Sequence, residues 1–203
     1  NMGFYEDITT ILADTPKDKK TWLFSATMPK EVARIAKQFM KSPIEITVGT
    51  KNMGAENVSH EYYMVNARDR YQALKRLADA NPEIFSVIFC RTKRDTQKVA
   101  ENLIEDGYNA SALHGDLSQN QRDLVMKSFR NRQIQMLVAT DVAARGLHIP
   151  SVSHVFNFDL PQDPEDYVHR IGRTARAGAS GHAISFACED HAFSLIDIES
   201  FIG

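Results

Sequence analysis

Cysteine is scarce. The 203 residues hold two, Cys90 and Cys188, each beside apolar strand-like residues (VIFC and ISFAC) and without CxxC spacing. That excludes a disulfide scaffold and argues for buried free thiols, neither of them catalytic, in a reducing compartment. Long apolar runs are missing too: none approaches the ~18–20 residues of a membrane span, and the start NMGFYED lacks the basic end and apolar stretch of a signal peptide. A cytoplasmic setting with no membrane partner is expected, and the absence of an initiator-like start suggests a chain cut from something longer. No excess of positive charge exists, since 24 Lys and Arg face 26 Asp and Glu, so an anionic partner has to be held locally. GxxxxGK[ST] and a strand-borne GxGxxG are absent, so the chain lacks the glycine cradle that binds nucleotide unaided. The seven histidines form no close pair at metal-ligand spacing, and no metal site is expected. Fixed-period repeats and low-complexity tracts are likewise missing. What remains is an ordinary packed chain, 43% hydrophobic and 25% charged.

Periodicity divides that chain. Residues 5–14 read as a helix, 21–24 (TWLF) as a buried strand, 29–41 as a helix with Val32, Ile35, Ala36, Phe39 and Met40 on one face, and 44–48 as a strand. The stretch GTKNMGAEN at 49–57 has no apolar period and reads as a linker. Beyond it come strand 58–65, helix 68–79, strand 86–90, helix 93–106, strand 109–113, helix 119–130, strands 135–139 and 153–158, helix 164–171, strand 182–187 and helix 190–202. This alternation predicts an α/β fold with a doubly wound, mostly parallel sheet and helices on both faces. Gly107 reads as a helix C-cap and Ser118 as an N-cap. Function is expected on the loops at the carboxyl ends of the strands: 90–94, 113–119, 139–150 and 159–166.

The sharpest segment is HRIGRTARAG, residues 169–178. Arg170, Arg173 and Arg176 at i, i+3 and i+6 repel one another unless an anion holds them, and guanidinium forks suit phosphate oxygens. A polyphosphate is one reading; a solvated basic helix end paired with Asp163, Glu165 and Asp166 is the other. Without a glycine cradle, the arginines would act on a phosphate held by another domain. Arg170 reads as pairing with an acid of its own domain, and Asp141 either as a cap or as an orienter of arginines. Gly115, with Gln119 and Arg122 opening the next helix, offers an anion site at a helix N-terminus. Arg122 reads equally as an ordinary first-turn residue, and Ser25 and Thr27 as a strand end and helix cap.

HRIGRTARAG, ATDVAARGLHIP, HGDLSQNQR, VIFCRTKR and LFSATMP together resemble, in order, the motifs of DEAD-box ATP-dependent RNA helicases, across essentially the whole chain. Within that family RGLHIP, GRTARAG and GHAISFACED are most similar to the bacterial RhlB type. The resemblance implies a second RecA-like domain at 58–203, preceded by a remnant of the first at 1–48. It implies that Arg173 and Arg176 are arginine fingers on the γ-phosphate and that His169 links them to the first domain. Ser25 and Thr27 would form the coupling element of that domain. Gly146 and His148 would lie toward the nucleotide, although the family usually has an acid at the position of His148, which puts the ribose contact in doubt. Arg91, Thr92, Gly115, Gln119, Arg122, Thr140 and Arg145 would follow an RNA backbone without reading sequence. ATP and Mg2+ are the implied cofactors, both held mainly by the first domain, so this chain alone is expected to be inactive. Two other functions stay open: a docking module for a ribonuclease scaffold, and an unrelated doubly wound nucleotide-binding enzyme.

Overall fold

The computed structural model describes residues 5–25, 27–28, 30–47, 57–175 and 179–203. The chain divides into two units, residues 1–52 and 53–203. In the first unit stand α1 (Tyr5–Ala13) and α2 (Lys30–Phe39). The apolar stripe of α2 is half-buried as its spacing requires. Tyr5 donates its hydroxyl to Gln38 Oε1 at 3.1 Å, and the Arg34 guanidinium lies 5.1 Å from its ring centre. The strands expected at 21–24 and 44–48 are not formed: residues 21–25 and 43–47 are irregular. Trp22 and Phe24 are 77% and 84% exposed, Ile44 and Ile46 89% and 84%. A strand exists through its neighbours' hydrogen bonds, and among the described residues of this unit no neighbouring strand supplies them. The apolar pattern was therefore real, but the ladder it needs is not formed among the described residues of this unit.

The second unit runs β1 (Val58–Met64), a 3-10 turn at Ala67–Asp69, α3 (Arg70–Asp79), β2 (Ser86–Phe89), α4 (Lys93–Glu105), β3 (Ala110–Leu113), α5 (Gln119–Arg130), β4 (Met136–Ala139), α6 (Asp141–Ala144), β5 (His154–Asn157), α7 (Pro164–Ile171), β6 (Gly181–Ala187) and α8 (Ala192–Ile202). The six strands form one sheet in the order β1-β6-β5-β2-β4-β3, every pair parallel. Parallel strands need crossover connections, and the helices supply them.

Alternation along the central strands sorts the core into two layers. Ile88, Met136, Val138 and Phe156 face Leu74 and Ala78 of α3 and Val99, Ala100 and Leu103 of α4. Val87, Phe89, Leu137, Ala139 and Val155 face the other side, with Met126 and Phe129 of α5 and Ala143 of α6. A third cluster joins Val58 and Ala183 to Tyr167 and Ile171 of α7 and Ile198 of α8.

Local chemistry fixes the helix ends. Ser118 makes a capping box with Gln121, which starts α5. Asp163 accepts from the Glu165 N–H with Pro164 in the first turn of α7. Gly107 follows α4 at φ +88°, a backbone conformation that favours glycine. The short α6, unforeseen in the sequence, is capped by Thr140. No described helix is long and apolar enough to cross a membrane.

Candidate functional site

The carboxyl ends of β2, β4 and β5 meet at one buried cation. Arg170, on α7, is 1% exposed. Its Nε and Nη2 donate to Asp141 Oδ1 and Oδ2, each at 2.7 Å, and its Nη1 donates to Asn157 Oδ1 at 3.0 Å and to the Asp159 carbonyl at 2.6 Å. The guanidinium carbon stands 5.1 Å from the Phe89 ring centre. Four of five N–H groups are thus bonded and the charge is matched by a two-pronged carboxylate, which is what a buried guanidinium requires. Arg170 pairs with an acid of its own unit as expected, and Asp141 is the orienter of the two readings offered for it.

One helical turn to either side of that anchor lies a cleft of about 190 Å3 lined by Phe89, Asp141, Ala144, Arg145, Asp166, His169, Arg170 and Arg173. Asp166 organises its rim: Arg145 Nη2 donates to its Oδ1 at 2.8 Å, and His169 Nδ1 is 3.9 Å from the same oxygen. The neighbouring His169, then Arg145 and Arg170, hold the Asp166 carboxyl below its ordinary range against the opposing effect of burial. Arg173 is half-buried, and its carbonyl accepts from the Val152 N–H at 3.1 Å. Arg176 lies outside the described residues. The acids around this segment are therefore divided: Asp163 caps α7, while Asp166 takes Arg145 and His169. Gly146, at φ +73°, and His148 are exposed on the loop after α6.

The residues expected to follow an RNA backbone fall into two groups. Thr92, Gly115 and Gln119 are exposed. Thr92 caps α4 by accepting from the Asp95 N–H at 3.0 Å, and Gln119 Nε2 donates to Asp123 at 2.9 Å. A Cβ on Gly115 would meet only the Lys93 side chain, at an ordinary 3.5 Å. Arg122 reaches under α6, where its Nη2 donates to the Ala143 carbonyl at 3.1 Å while its Nε is buried without a hydrogen-bond partner.

The others are turned inward. Thr140 is 7% exposed and is spent on starting α6, so it departs from the expected surface. Arg91 gives Nε to the Leu160 carbonyl at 2.6 Å and Nη2 to Ser194 at 3.1 Å. Arg145 lines the cleft beside Arg170. In the first unit, Ser25 is exposed and its hydroxyl donates to the Thr27 carbonyl, while Thr27 is buried.

Two further features escaped the sequence. Asn157 and Asp159, both buried, were not among the candidate residues: Asn157 alternates with Phe156 and Phe158 inside the strand read at 153–158, and Asp159 only opens the loop expected at 159–166. The signal available was a carboxylate two residues before a proline at the end of an apolar strand. The second is a histidine pair that is distant in the chain: register sets His154 opposite His182, and their rings stack at 4.8 Å. Sequence spacing does not see a pair made across strands. No group of three or more potential metal ligands occurs among the described residues. Cys90 and Cys188 are free and buried, and burial pushes the Cys90 thiol well above its ordinary pKa.

Comparison with known proteins places this geometry. The model of the helicase conserved C-terminal domain matches residues 69–178. The DEAD-box ATP-dependent RNA helicase CshA of Geobacillus kaustophilus is 48% identical over 199 residues, covering 98% of this chain and 43% of the relative. The chain therefore spans about two fifths of that relative's length. Saccharomyces cerevisiae Dbp5 bound to RNA and ADP BeF3 superposes with a TM-score of 0.86 at 32% identity, covering all of this chain and 54% of that one. The Escherichia coli DEAD-box protein SrmB, bound to regulator of ribonuclease activity A, gives 0.69 at 36% identity, covering 73% of this chain and 88% of that one. These relatives do not carry the RhlB-type reading. The matched span runs from the start of α3 through the arginine-bearing end of α7, and with the likeness of fold and sequence to these structures and relatives it settles the family: the chain belongs to the DEAD-box helicases, and carries their helicase conserved C-terminal domain.

Proposed function

We propose that this chain supplies the arginine-bearing half of an ATP-dependent RNA helicase, of CshA type rather than RhlB type. The observation that carries the reading is the cleft beside Arg170, where Arg145, His169 and Arg173 converge on a locked guanidinium. Its volume of about 190 Å3 is below the ~300 Å3 at which pockets begin to enclose whole ligands. It suits a phosphate group presented from another domain. ATP with Mg2+ supplies the phosphoryl-transfer chemistry when bound to that domain.

On this side, Arg170 is pinned and presets α7, so Arg173 is delivered at a fixed height above the sheet rim. Arg176, His169, Gly146 and His148 complete the nucleotide side of the proposal. Ser25 and Thr27 supply the coupling element of the first domain, whose remnant is residues 1–48, with 49–57 as linker. Thr92, Gly115, Gln119 and Arg122, at the N-termini of α4 and α5, receive RNA phosphates; Arg91 and Thr140 are turned inward from them, and Arg145 belongs to the cleft. Such contacts give sequence-tolerant, salt-sensitive binding.

The test is RNA-stimulated ATPase of the intact protein. Arg173→Ala and Arg176→Ala are each expected to reduce turnover by about 10³-fold or more, the scale of an arginine finger, while leaving thermal unfolding in place. Undiminished turnover in both variants would remove the finger assignment. A second reading, a docking module for the ribonuclease machinery, is favoured by SrmB's complex with a regulator of ribonuclease activity. Binding of a purified ribonuclease scaffold, retained after both arginines are replaced, would support it.

A further inference from the structure

The loop after β2 and the arginine of α7 meet at a single residue, the first at its carboxylate and the second at its backbone carbonyl. Asp159, 2% exposed, follows β5. Its Oδ2 accepts from the Arg91 N–H at 2.9 Å, and its Oδ1 pairs with Arg70 Nη1 at the start of α3. His191 Nε2, leading into α8, is 3.6 Å from the same Oδ1. The backbone carbonyl of Asp159 accepts from Arg170 Nη1 at 2.6 Å. One residue therefore touches four separated segments. Of these, the Arg91–Thr92 loop lies at the proposed RNA surface, and Arg170 anchors the proposed nucleotide cleft.

We infer that Asp159 is a positioning residue that couples the Arg91–Thr92 loop to the Arg170 anchor, so that RNA seated on the loop sets Arg173, in the turn that follows α7. The inference rests on the helicase reading. Its physical core is a demand for acceptors. Both carboxylate oxygens face donors, and a shift of the loop that stretches the Arg91 bond pulls on the same residue whose carbonyl holds Arg170. Arg70 keeps the carboxylate in place from behind: its Nη1 also donates to the Phe158 carbonyl at 3.1 Å, its Nε donates to the Ala67 carbonyl at 3.1 Å, and its guanidinium carbon lies 4.8 Å from the Phe158 ring centre.

This arrangement makes an unusual prediction about substitutions. An asparagine has one acceptor and one donor group at the end of its side chain. In Asp159→Asn the oxygen turns to the Arg70 guanidinium, which has only donors to offer, and the amide N–H then opposes the Arg91 N–H. The loop is cut from the anchor. In Arg70→Met alone, the carboxylate keeps the Arg91 bond, so the link survives although the domain is less stable. In the double variant Arg70→Met/Asp159→Asn, no guanidinium claims the amide oxygen, which is free to accept from Arg91 again.

The experiment measures ATPase of the intact protein with and without saturating poly(U), together with thermal unfolding and hydrogen exchange at the Arg91 amide. Asp159→Asn is expected to lower the ratio of stimulated to unstimulated turnover about tenfold, within the usual range of coupling between sites, and to speed Arg91 exchange. Arg70→Met should lower the unfolding temperature and keep the ratio. The double variant should recover the ratio and the Arg91 protection. A wild-type ratio in Asp159→Asn would overturn the inference, as would an equal loss in all three variants in step with unfolding temperature. Absence of RNA stimulation in the wild-type protein would instead sink the helicase reading beneath it.

Discussion

Arg170 heads the fully buried side chains of the described residues in size, ahead of every phenylalanine. A guanidinium in that position is tolerated only while its partners remain, because removing one side of a buried ion pair leaves the other uncompensated. Asp141→Ala is therefore expected to destabilise the second unit by about 3–5 kcal/mol in urea unfolding. Arg170→Lys should lose nearly as much, since an ammonium cannot reproduce two parallel bonds to one carboxylate. A lysine variant as stable as wild type would show that charge alone holds the site. That Arg170 would meet an acid was legible in the sequence. Which acid it meets was decided by the sheet, which brings Asp141 after β4 and Asn157 at the end of β5 to the same rim on either side of β2, within reach of one guanidinium, and no local pattern encodes that placement.

Elements were legible where their ends carry their own chemistry. α5 and α7 run over the residues expected, 119–130 and 164–171, because Ser118 with Gln121 and Asp163 with Pro164 are local instructions. The segments at 21–24 and 44–48 were misjudged because a strand is a relation between segments. Ser118→Ala should cost about 1 kcal/mol, the usual worth of an N-cap, measured as a shift in the urea midpoint.

The edge of the sheet carries a pH dependence. Burial, with a smaller effect of His182 against the opposing effect of Glu61, holds the His154 imidazole below its ordinary 6.5, and burial does the same to His60. Ser59, at the position opposite His182, bonds its ring at 2.8 Å, and Tyr167 bonds the His60 ring at 2.8 Å. The folded state binds these protons less readily than the unfolded chain. Their stabilisation is therefore complete above pH 6.5 and is lost as the pH falls below that value. The unfolding temperature should drop between about pH 7.5 and about pH 5.5, and the paired replacement His60→Gln/His154→Gln should flatten the drop. An unaltered slope would clear both rings of responsibility.

At the scale of the molecule, the two units differ in how well each completes its own core. The second buries both faces of its central strands. The first leaves Trp22, Phe24, Ile44 and Ile46 largely exposed, a surface of the kind that marks an interaction site. The 203-residue chain in isolation is expected to self-associate with rising concentration, read by light scattering, and Trp22→Ser/Phe24→Ser should reduce that association. A strictly monomeric wild-type chain would show that this surface does not drive association.

The pairing of β1 with β6 alone, Val58 opposite Gly181 and Met64 opposite Ala187, has a consequence for the newborn chain. Its earliest strand in the second unit must wait for the latest one to leave the ribosome, on the order of ten seconds at roughly 5–20 residues per second. Until then Tyr62, Tyr63 and Met64 travel as an unzipped hem. Translation that stalls short of Gly181 would release a polypeptide whose sheet is open along that border, and it is there that a chaperone would find its first hold.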